Sequence, residues 1–542
     1  MKIRDKAYLD FSGGLRLDVA PIILPDNAVQ KAINVNFDEQ GRITKRLGYK
    51  AFGQPTTYNP GIAGYHYSWS DGTSSTVLIE ENNDSAAFYR IKRSPLNGAI
   101  TTASTTITVD DGAQFTDPAG VATHYVEIDG DLVGYTDLDG NNLTGVTGIS
   151  EAHATDSVVR QWSTTAETWA IRSTVSVSIA HLNSLAFISG NAKIYKWDNA
   201  TFSNNSTNYA YVTEYRNKLY AVDLTGATMN NVHFSNADDG TTWTGTDTFY
   251  ITKGGRFPIV SLKKIGNYLC IFKEMEIHTW NDYSVKLMSS QLGTFNHKTA
   301  NEVNKLLYFS NPSGVFATDG DSISDNIGRP IKPYLDDFTP TYNVAETCIM
   351  NIAAGRYEDK YVLHVGNTST KDTITDANLV YDTVNKNWTV WSGLDADSLC
   401  FNFLERFTTV VAGSNDISNS GIYLFGGSTN KQTYQFGGTT YHDNYSDISS
   451  EVIFKPFDLG LPHKKKKFVN LKVLSERPGF SLYYKIDNQE NWKPLGQITK
   501  ETQKLIINEQ GYRITLKATE TSQNKPWILN GFVFEDCLML TD

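Results

Sequence analysis

The sequence predicts an all-β protein of several domains, and three observations carry that prediction. Aromatic residues make up 12% of the 542-residue chain, including 29 Tyr and 26 Phe. Short runs rich in Val, Ile, Thr, Tyr and Phe alternate with Gly, Asn, Asp and Ser, which is typical of strands and turns. No apolar 3.6-residue period is sustained for more than about three turns. The best helix candidate is Asp26 to Phe37, with Asp26 as its N-cap.

A loosely repeated unit fills the middle of the chain. Each copy has a polar turn with Asn or Asp, a strand, a second turn and a strand that ends near an aromatic residue. Clear copies begin at Asn183, Asn217, Asn267, Asn304 and Asp359, with partner strands at Lys193, Val232, Glu276, Gly314 and Asn378; weaker copies begin at Thr408 with Gly421 and at Ser75 with Ala86. The mean spacing of about 45 residues is that of a four-stranded propeller blade. We therefore predict a β-propeller core over residues 51–97 and 161–445, with a row of β-sandwiches as the alternative.

The segment 98–160 interrupts this pattern with a Thr-rich, acidic composition. Between Gly98 and Val159 there is no Lys or Arg, and the acidic residues are Asp110, Asp111, Asp117, Glu127, Asp129, Asp131, Asp137, Asp139, Glu151 and Asp156. The net charge of the whole chain is −11, so this segment supplies nearly all of it. Its DGD and DGN turns are strong hairpin signals. We predict an inserted small β-barrel-like domain, which either lines a channel or faces outward.

The repeated pattern ends before residue 446, and residues 446–542 contain five strands with alternating apolar residues, which predict a C-terminal β-sandwich. The strand segments are FVNLKVLSE, FSLYYKID, QKLIINE, YRITLKATE and WILNGFVFE. The dense basic run Lys464, Lys465, Lys466 and Lys467 precedes the first of them. This run is a candidate contact patch for DNA or an acidic subunit. The alternative is an edge strand whose lysines discourage aggregation.

The first 50 residues, predicted as an extended segment with a short helix, carry a family resemblance. The string FSGGLRLDVAPIILPDNAVQKAINVNFDEQGRITKRLGY resembles the opening of tail nozzle (tail hub) proteins of short-tailed bacteriophages, through Gly13, Gly14, Pro25, Asn34, Phe37, Lys45, Arg46 and Gly48. Strings such as NKLYAVD and FDLGLPHKKKKFVNLKV resemble their propellers and the junction to their C-terminal sandwich.

The resemblance implies a structural virion protein, synthesised in the host cytoplasm, that forms a ring of usually six copies in the tail. Viral DNA would pass through the ring without sequence-specific binding. Portal-proximal adaptor proteins and tail fibres or spikes would dock on it. Phe11, Gly13, Gly14, Lys45 and Arg46 are the candidate assembly contacts under this interpretation.

Nothing in the sequence selects an enzyme, a metal or another cofactor. No HExxH, GxSxG, P-loop or CxxC motif is present. The Asp-Gly turns at Asp129, Asp137 and Asp319 could start a calcium loop, but hairpin turns explain them equally well. No apolar stretch approaches the roughly 20 residues that span a bilayer, and no signal peptide is expected.

The four cysteines, Cys270, Cys348, Cys400 and Cys537, are expected to be reduced and buried. Two other functions stay open at this point. One is a glycan-binding adhesin of the host surface, which would use tryptophans such as Trp243, Trp388 and Trp391. The other is a polysaccharide hydrolase, which would need only two suitably spaced carboxylates.

Overall fold

The structure is a computed structural model. It describes residues 1–53, 63–66, 75–80, 85–120, 123–129, 131–163, 169–170, 178–183, 185–190, 193–197, 202–204, 209–223, 230–251, 257–294, 297–337, 352–394, 398–404, 407–414, 421–425, 442–443, 446–521 and 526–540. For residues 49–91, 132, 162–170, 190, 202, 204, 398–443 and 446 only the backbone is described.

Within these residues the middle of the chain forms seven small antiparallel sheets, the blades of a β-propeller. Blade 1 contains Ala63–His66, Ser75–Glu80, Ser85–Pro95 and Val158–Ser163 with Trp169–Ala170; blade 2 contains Ser178–Leu182, Leu185–Gly190, Lys193–Trp197 and Phe202–Asn204; blade 3 contains Ala210–Tyr215, Lys218–Val222, Asn231–Phe234 and Thr248–Tyr250. Blade 4 contains Ile259–Ile265, Tyr268–Lys273, Ile277–Trp280 and Val285–Ser289; blade 5 contains Asn301–Val303, Leu306–Asn311 and Gly314–Thr318; blade 6 contains Ala354–Tyr357, Lys360–Thr368, Ile374–Asp382 and Asn387–Trp391. Blade 7 contains Ser398–Leu404, Phe407–Ser414, Gly421–Phe425 and Tyr49–Gly53.

The first strand of each blade packs toward the first strand of a neighbouring blade. Contacts of this kind join blades 2 to 3, 3 to 4, 5 to 6, 6 to 7 and 7 back to 1. Blades 4 and 5 share a hydrophobic cluster that includes Phe272 and Phe309. The outermost strand of blade 7, Tyr49–Gly53, comes from the N-terminal part of the chain and pairs with Gly421–Phe425. The propeller is therefore closed by strands that are distant in sequence.

The repeats predicted from the sequence coincide with the blades. All seven pairs of repeated segments form the second and third strands of a blade, as at Lys218–Val222 with Asn231–Phe234. Polar turns joining short apolar strands are a local signal, which explains why these central hairpins could be recognised.

The acidic insert extends blade 1 between its third and fourth strands. Ser85–Pro95 pairs with Val158–Ser163, and the latter strand continues into pairing with His124–Ile128, which in turn pairs with Asp131–Tyr135. A second sheet contains Thr106–Thr108, Asn142–Thr144 and Asp137–Asp139. Buried side chains such as Ile107, Phe115 and Tyr135 give the insert its own core. The insert is thus a small β-domain on a two-stranded stalk.

The C-terminal part forms a β-sandwich whose two sheets include N-terminal strands. Sheet A contains Val35–Phe37, Ile43–Lys45, Ile528–Glu535, Lys466–Arg477 and Thr502–Gly511, with Lys6–Tyr8 and Leu538–Met539 paired alongside. Sheet B contains Ala28–Ile33, Ser450–Phe457, Ile514–Glu520, Ser481–Ile486 and Lys493–Gln497, with Gly14–Leu15 paired to its first strand. Phe454 of sheet B meets Phe532 of sheet A edge to face, with ring centroids 4.9 Å apart.

Sheet B also continues into blade 6 of the propeller. Ile33 pairs in parallel with Val390, the only residue pair that joins the two strands in the described part of the chain. One hydrophobic cluster runs from Tyr361 and Trp388 in blade 6 to Phe454 and Trp527 in the sandwich. The propeller and the sandwich are therefore joined through a continuous core as well as through the chain.

The predicted helix from Asp26 to Phe37 is wrong, because this segment forms the strands Ala28–Ile33 and Val35–Phe37. Its backbone pairs with Ser450–Phe457 over most of the first strand. Asn34 has a φ of 57°, which interrupts regular structure between the strands. Asp26 bonds to Lys455 at 2.6 Å and caps no helix. Long-range pairing overrides a weak local preference here.

Helical structure in the described residues is confined to short turns. They are the α-helical turn Lys332–Leu335 and the 3₁₀ turns Pro21–Ile23, Gly112–Gln114, His297–Thr299 and Arg329–Ile331. None of these helices is long and apolar enough to cross a membrane. Cys270 and Cys537 are free and buried, as expected, and burial raises the pKa of Cys270 to about 12. Cys348 and the side chain of Cys400 lie outside the described residues.

Candidate functional site

The candidate site is the junction where the N-terminal segment holds the sandwich against blade 6. Phe11 is fully buried and packs against Phe454 and Phe532, with ring centroids 5.1 and 6.1 Å away. Gly14 has a φ of 62°, and a Cβ added there would lie 2.7 Å from Cβ of Asn387 in blade 6. This position needs glycine because it combines a left-handed backbone with close contact to the blade.

Asn34 and Arg46 form the hydrogen-bonded centre of this junction. The Arg46 guanidinium donates from Nε to Oδ1 of Asn34 at 2.7 Å, from Nη1 to the Leu47 carbonyl at 2.9 Å and from Nη2 to the Ser392 carbonyl at 2.9 Å. Asn34 Nδ2 donates to Oγ of Ser392 and to the Ser449 carbonyl, at 2.9 and 2.7 Å. These residues belong to the N-terminal segment, the end of blade 6 and the entry to the sandwich, so the cluster fastens all three together.

Lys45, the neighbour of Arg46, forms an ion pair with Glu520 inside the sandwich. The two side chains are 0% and 2% exposed. Lys45 lies in sheet A and Glu520 ends a strand of sheet B, so the pair bridges the two layers. A buried ion pair is costly to leave half-made, because the remaining charge has no solvent to stabilise it.

The structure thus places the predicted assembly residues mainly inside the molecule. Phe11, Gly14, Lys45 and Arg46 are all buried, and Gly13 is half-buried against Asn27. Their described contacts are to other parts of the same chain. A direct contact of this segment with another subunit stays a prediction, and it would have to use the residues around these five.

A polar cleft of about 470 Å³ opens beside this segment, lined by Gly13, Arg16, Asp18, Arg329 and Asn387 among others. Arg16 donates two hydrogen bonds to Asp18, from Nε to Oδ1 at 3.1 Å and from Nη2 to Oδ2 at 2.7 Å. The hydrogen bond from Arg16 lowers the pKa of Asp18. Arg329 is 75% exposed and lies 3.6 Å from the same carboxylate. The cleft therefore presents a cationic rim to solvent.

The predicted basic patch is split by the fold. Lys464 and Lys465 are exposed, and Lys467 is half-buried. Lys466 is fully buried and its Nζ donates to the carbonyls of Leu461 and Lys464, at 2.6 and 2.7 Å. The strand that begins at Lys466 pairs on both sides, so the edge-strand alternative is wrong. Lys466 holds the turn before the strand, which leaves Lys464 and Lys465 as the exposed pair.

The acidic residues of the insert divide into an internal group and an exposed group. Glu127 pairs with Arg160 at 2.9 Å, with both side chains buried. His153 lies between two carboxylates, with Nδ1 3.3 Å from Asp129 and Nε2 3.1 Å from Asp131. Burial alone would lower the pKa of His153, but the hydrogen bonds to these carboxylates outweigh it and raise the pKa to about 9. His153 is therefore an imidazolium, and its two ring nitrogens donate hydrogen bonds to Asp129 and Asp131.

The carboxylate oxygens of the Asp-Gly turns accept hydrogen bonds from backbone N–H groups. Asp131 accepts hydrogen bonds from the backbone N–H groups of Ser150 and Glu151, at 2.9 and 3.1 Å. Asp319 accepts from the N–H groups of Asp321 and Ser322, and the bond from Ser322 contributes most to lowering its pKa. In the described part of the chain, no group of three or more His, Cys, Asp or Glu could hold a metal ion.

The tryptophans considered for glycan stacking are mostly in the core. Trp388 and Trp391 are 1% and 3% exposed, and their Nε1 atoms donate to Ile327 and Asn36. Trp243 is half-buried against Tyr209. The prediction that Trp388 or Trp391 stacks on a sugar is therefore wrong, because both side chains are buried.

Sequence reasoning missed a cluster of lysines and aromatic rings on the outer face of sheet B. Lys517 lies 5.0 Å from the ring of Tyr483 and 4.9 Å from that of Trp492, and Lys485 lies 4.6 Å from Trp492. The alternation of SLYYKI and ITLKATE places Tyr483, Lys485 and Lys517 on one face. Trp492 comes from the following turn, and no local pattern indicated that it folds over that face.

Comparisons with known proteins add little to this picture. No family model matches the chain, and no curated protein matches it. The WD40 domain of Neurospora crassa Pan2 is 11% identical, over 74% of this chain and 99% of that one, with a TM-score of 0.33. An extracellular domain from B. thetaiotaomicron is also 11% identical, over 91% of this chain and 68% of that one, with a TM-score of 0.31. At these scores neither likeness bears on function, and the propeller assignment stands on the sheet topology of the chain itself.

Proposed function

We propose that the chain is a structural, non-catalytic subunit of a bacteriophage tail, which assembles into a ring-shaped nozzle that conducts DNA during ejection. The observation that supports this most is the Asn34–Arg46 junction. Asn34 and Arg46, two of the residues through which the N-terminal segment resembles tail nozzle proteins, bond to the end of blade 6 and to the entry to the sandwich. The motif and the architecture that the resemblance implies therefore agree.

The physical role proposed is that of a rigid building block. The continuous core between blade 6 and the sandwich resists bending, because separating the two would expose large apolar side chains such as Trp388 and Phe454. One outward-facing part of the N-terminal segment is the turn Pro21–Ile23, in which Ile22 and Ile23 are 46% and 68% exposed. An exposed apolar turn is a suitable contact for an adaptor or a neighbouring subunit.

The insert supplies the electrostatic part of the proposal. Six of its carboxylates are exposed and pair with no cation in the described residues: Asp110, Asp111, Asp117, Asp137, Asp139 and Asp156. In a ring of six copies these would form a belt of negative charge. Lining the conduit, the belt would repel phosphates and let a duplex slide. Facing outward, it would serve as a docking surface for other tail proteins.

Purified virus particles provide the direct test. We expect an antibody against this chain to detect it in gradient-purified virions, and chemical cross-linking of those virions to give multimers of the chain up to the hexamer. Deletion of the gene is expected to yield filled or leaking heads without infectious tails. A chain that is absent from purified particles, or that occurs there only as a monomer, would overturn the proposal.

A further inference from the structure

The outer face of sheet B presents a small built surface that the conduit role does not use. Along one strand Ser481, Tyr483 and Lys485 point outward, and they lie directly opposite Thr519, Lys517 and Thr515 on the neighbouring strand. Trp492 lies over Lys485 and Lys517 from the next turn. We call Tyr483, Lys485, Trp492 and Lys517 the lysine–aromatic face.

The charges on this face are incompletely compensated. Neither Lys485 nor Lys517 forms an ion pair with a carboxylate among the described residues. Glu451, the acid whose charge acts on Lys517, is already bonded to Lys31 at 2.9 Å. Burial lowers the pKa of Lys517; the charge of Glu451 raises it, and the positive charges of Lys31 and Lys485 lower it. Two ammonium groups beside one indole therefore favour an anion between them.

The rings and hydroxyls on the same face narrow the chemistry of the ligand. Trp492 and Tyr483 are half-buried, so part of each side chain remains accessible to the C–H groups of a sugar. Thr515, Thr519 and Ser481 supply short hydroxyls at the level of the sheet, which suit the hydroxyls of a sugar. We propose that the lysine–aromatic face binds an acidic polysaccharide, with a sugar carboxylate between Lys485 and Lys517 and the pyranose ring against Trp492.

A nucleic acid fits this surface less well. A phosphate backbone is usually gripped by a long basic stripe, whereas this face offers two central lysines. The chain as a whole carries a net charge of −11, which repels a duplex, with one charge per about 1.7 Å, more strongly than a polymer with one carboxylate per sugar. The inference goes beyond the conduit role and does not depend on ring formation.

The test is binding of the full chain to polygalacturonate, measured by isothermal titration calorimetry at low salt. We expect the double variant Lys485→Met/Lys517→Met and the single variant Trp492→Ala each to weaken binding at least tenfold. Trp492→Phe is expected to retain most of the affinity, since a ring remains. The matched control is Lys464→Met/Lys465→Met, which removes the same charge from exposed lysines of the same domain and should change binding less than twofold.

Two further probes separate the alternatives, with thermal unfolding of each variant confirming that it is folded. Dextran, a neutral polysaccharide, should bind at least tenfold more weakly than polygalacturonate. Single-stranded poly-dT should also bind more weakly. The inference is overturned if polygalacturonate does not bind, if poly-dT binds as tightly, or if the control variant loses as much affinity as the lysine–aromatic variants.

Discussion

Replacing Arg46 with lysine tests whether the N-terminal segment is an internal fastening of the fold. The substitution keeps the positive charge but replaces a planar fork by a single ammonium group. The guanidinium makes hydrogen bonds to Asn34, Leu47 and Ser392, and an ammonium at that position can reach about one of these acceptors. Each charge-assisted bond that is lost contributes about 1.5–3 kcal/mol. With two of the three bonds lost, we expect Arg46→Lys to destabilise the junction by about 3–6 kcal/mol.

Native-state hydrogen exchange measures this loss where it occurs. The amides of Asn34, Arg46 and Ser392 donate to the Val390 carbonyl, the Asn34 carbonyl and the Asn34 side chain, respectively. A loss of about 3–6 kcal/mol would speed their exchange by about two to four powers of ten, since each power of ten corresponds to about 1.4 kcal/mol.

The matched control is Arg42→Lys in the same segment. Arg42 pairs with Asp38 and Glu476 at the surface, where an ion pair contributes about 0–1 kcal/mol. Equal, small effects of the two substitutions would refute the reasoning and would return Arg46 to the role of a contact for another subunit.

Three further outcomes are expected. His153 has a raised pKa of about 9, so its stabilisation of the insert should be complete below about pH 6.5 and lost as the pH rises through 9. Hydrogen exchange of the insert should show a loss of about 2 kcal/mol over this pH range. The variant His153→Gln should lack this pH dependence. Gly14→Ala should destabilise the fold by at least about 2 kcal/mol in denaturant titrations. The control Gly140→Ala, at a φ of 60° but with nothing within 4 Å of an added Cβ, should cost about 1 kcal/mol. Equal costs would contradict the close approach of Gly14 to blade 6. Lys45→Met should cost about 3–5 kcal/mol because the buried Glu520 carboxylate loses the Lys45 ammonium, and adding Glu520→Leu should restore most of the stability. A double variant no more stable than the single variant would contradict a paired charge.

The local features of this fold could be predicted from the sequence, and the distant pairings could not. The central hairpins of the blades were recognisable because turn and strand are adjacent, as at Asn217. The strand Ala28–Ile33 bonds to a partner more than 400 residues away, as in the Gln30 bond to the Phe454 carbonyl. No local pattern records such a partner, so the segment resembled a helix.

The same limit applies to the candidate site. The sequence marked Gly14, Lys45 and Arg46 as special through their resemblance, but not that they face inward. Arginine and lysine are usually exposed, and only the tertiary structure shows that Arg46 and Lys45 each have a partner in the interior. The lysine–aromatic face likewise depends on where one turn places Trp492.

The closure of blade 7 by Tyr49–Gly53 has a consequence for how the protein is made. This strand pairs with Gly421–Phe425, which a ribosome working at about 5–20 residues per second reaches about 20 to 75 seconds later. Through that interval the N-terminal strands lack their partners, and their edges are free to pair with other nascent chains. The propeller is therefore completed late in synthesis, and the yield of folded protein should depend on how well these waiting strands are shielded in the cell.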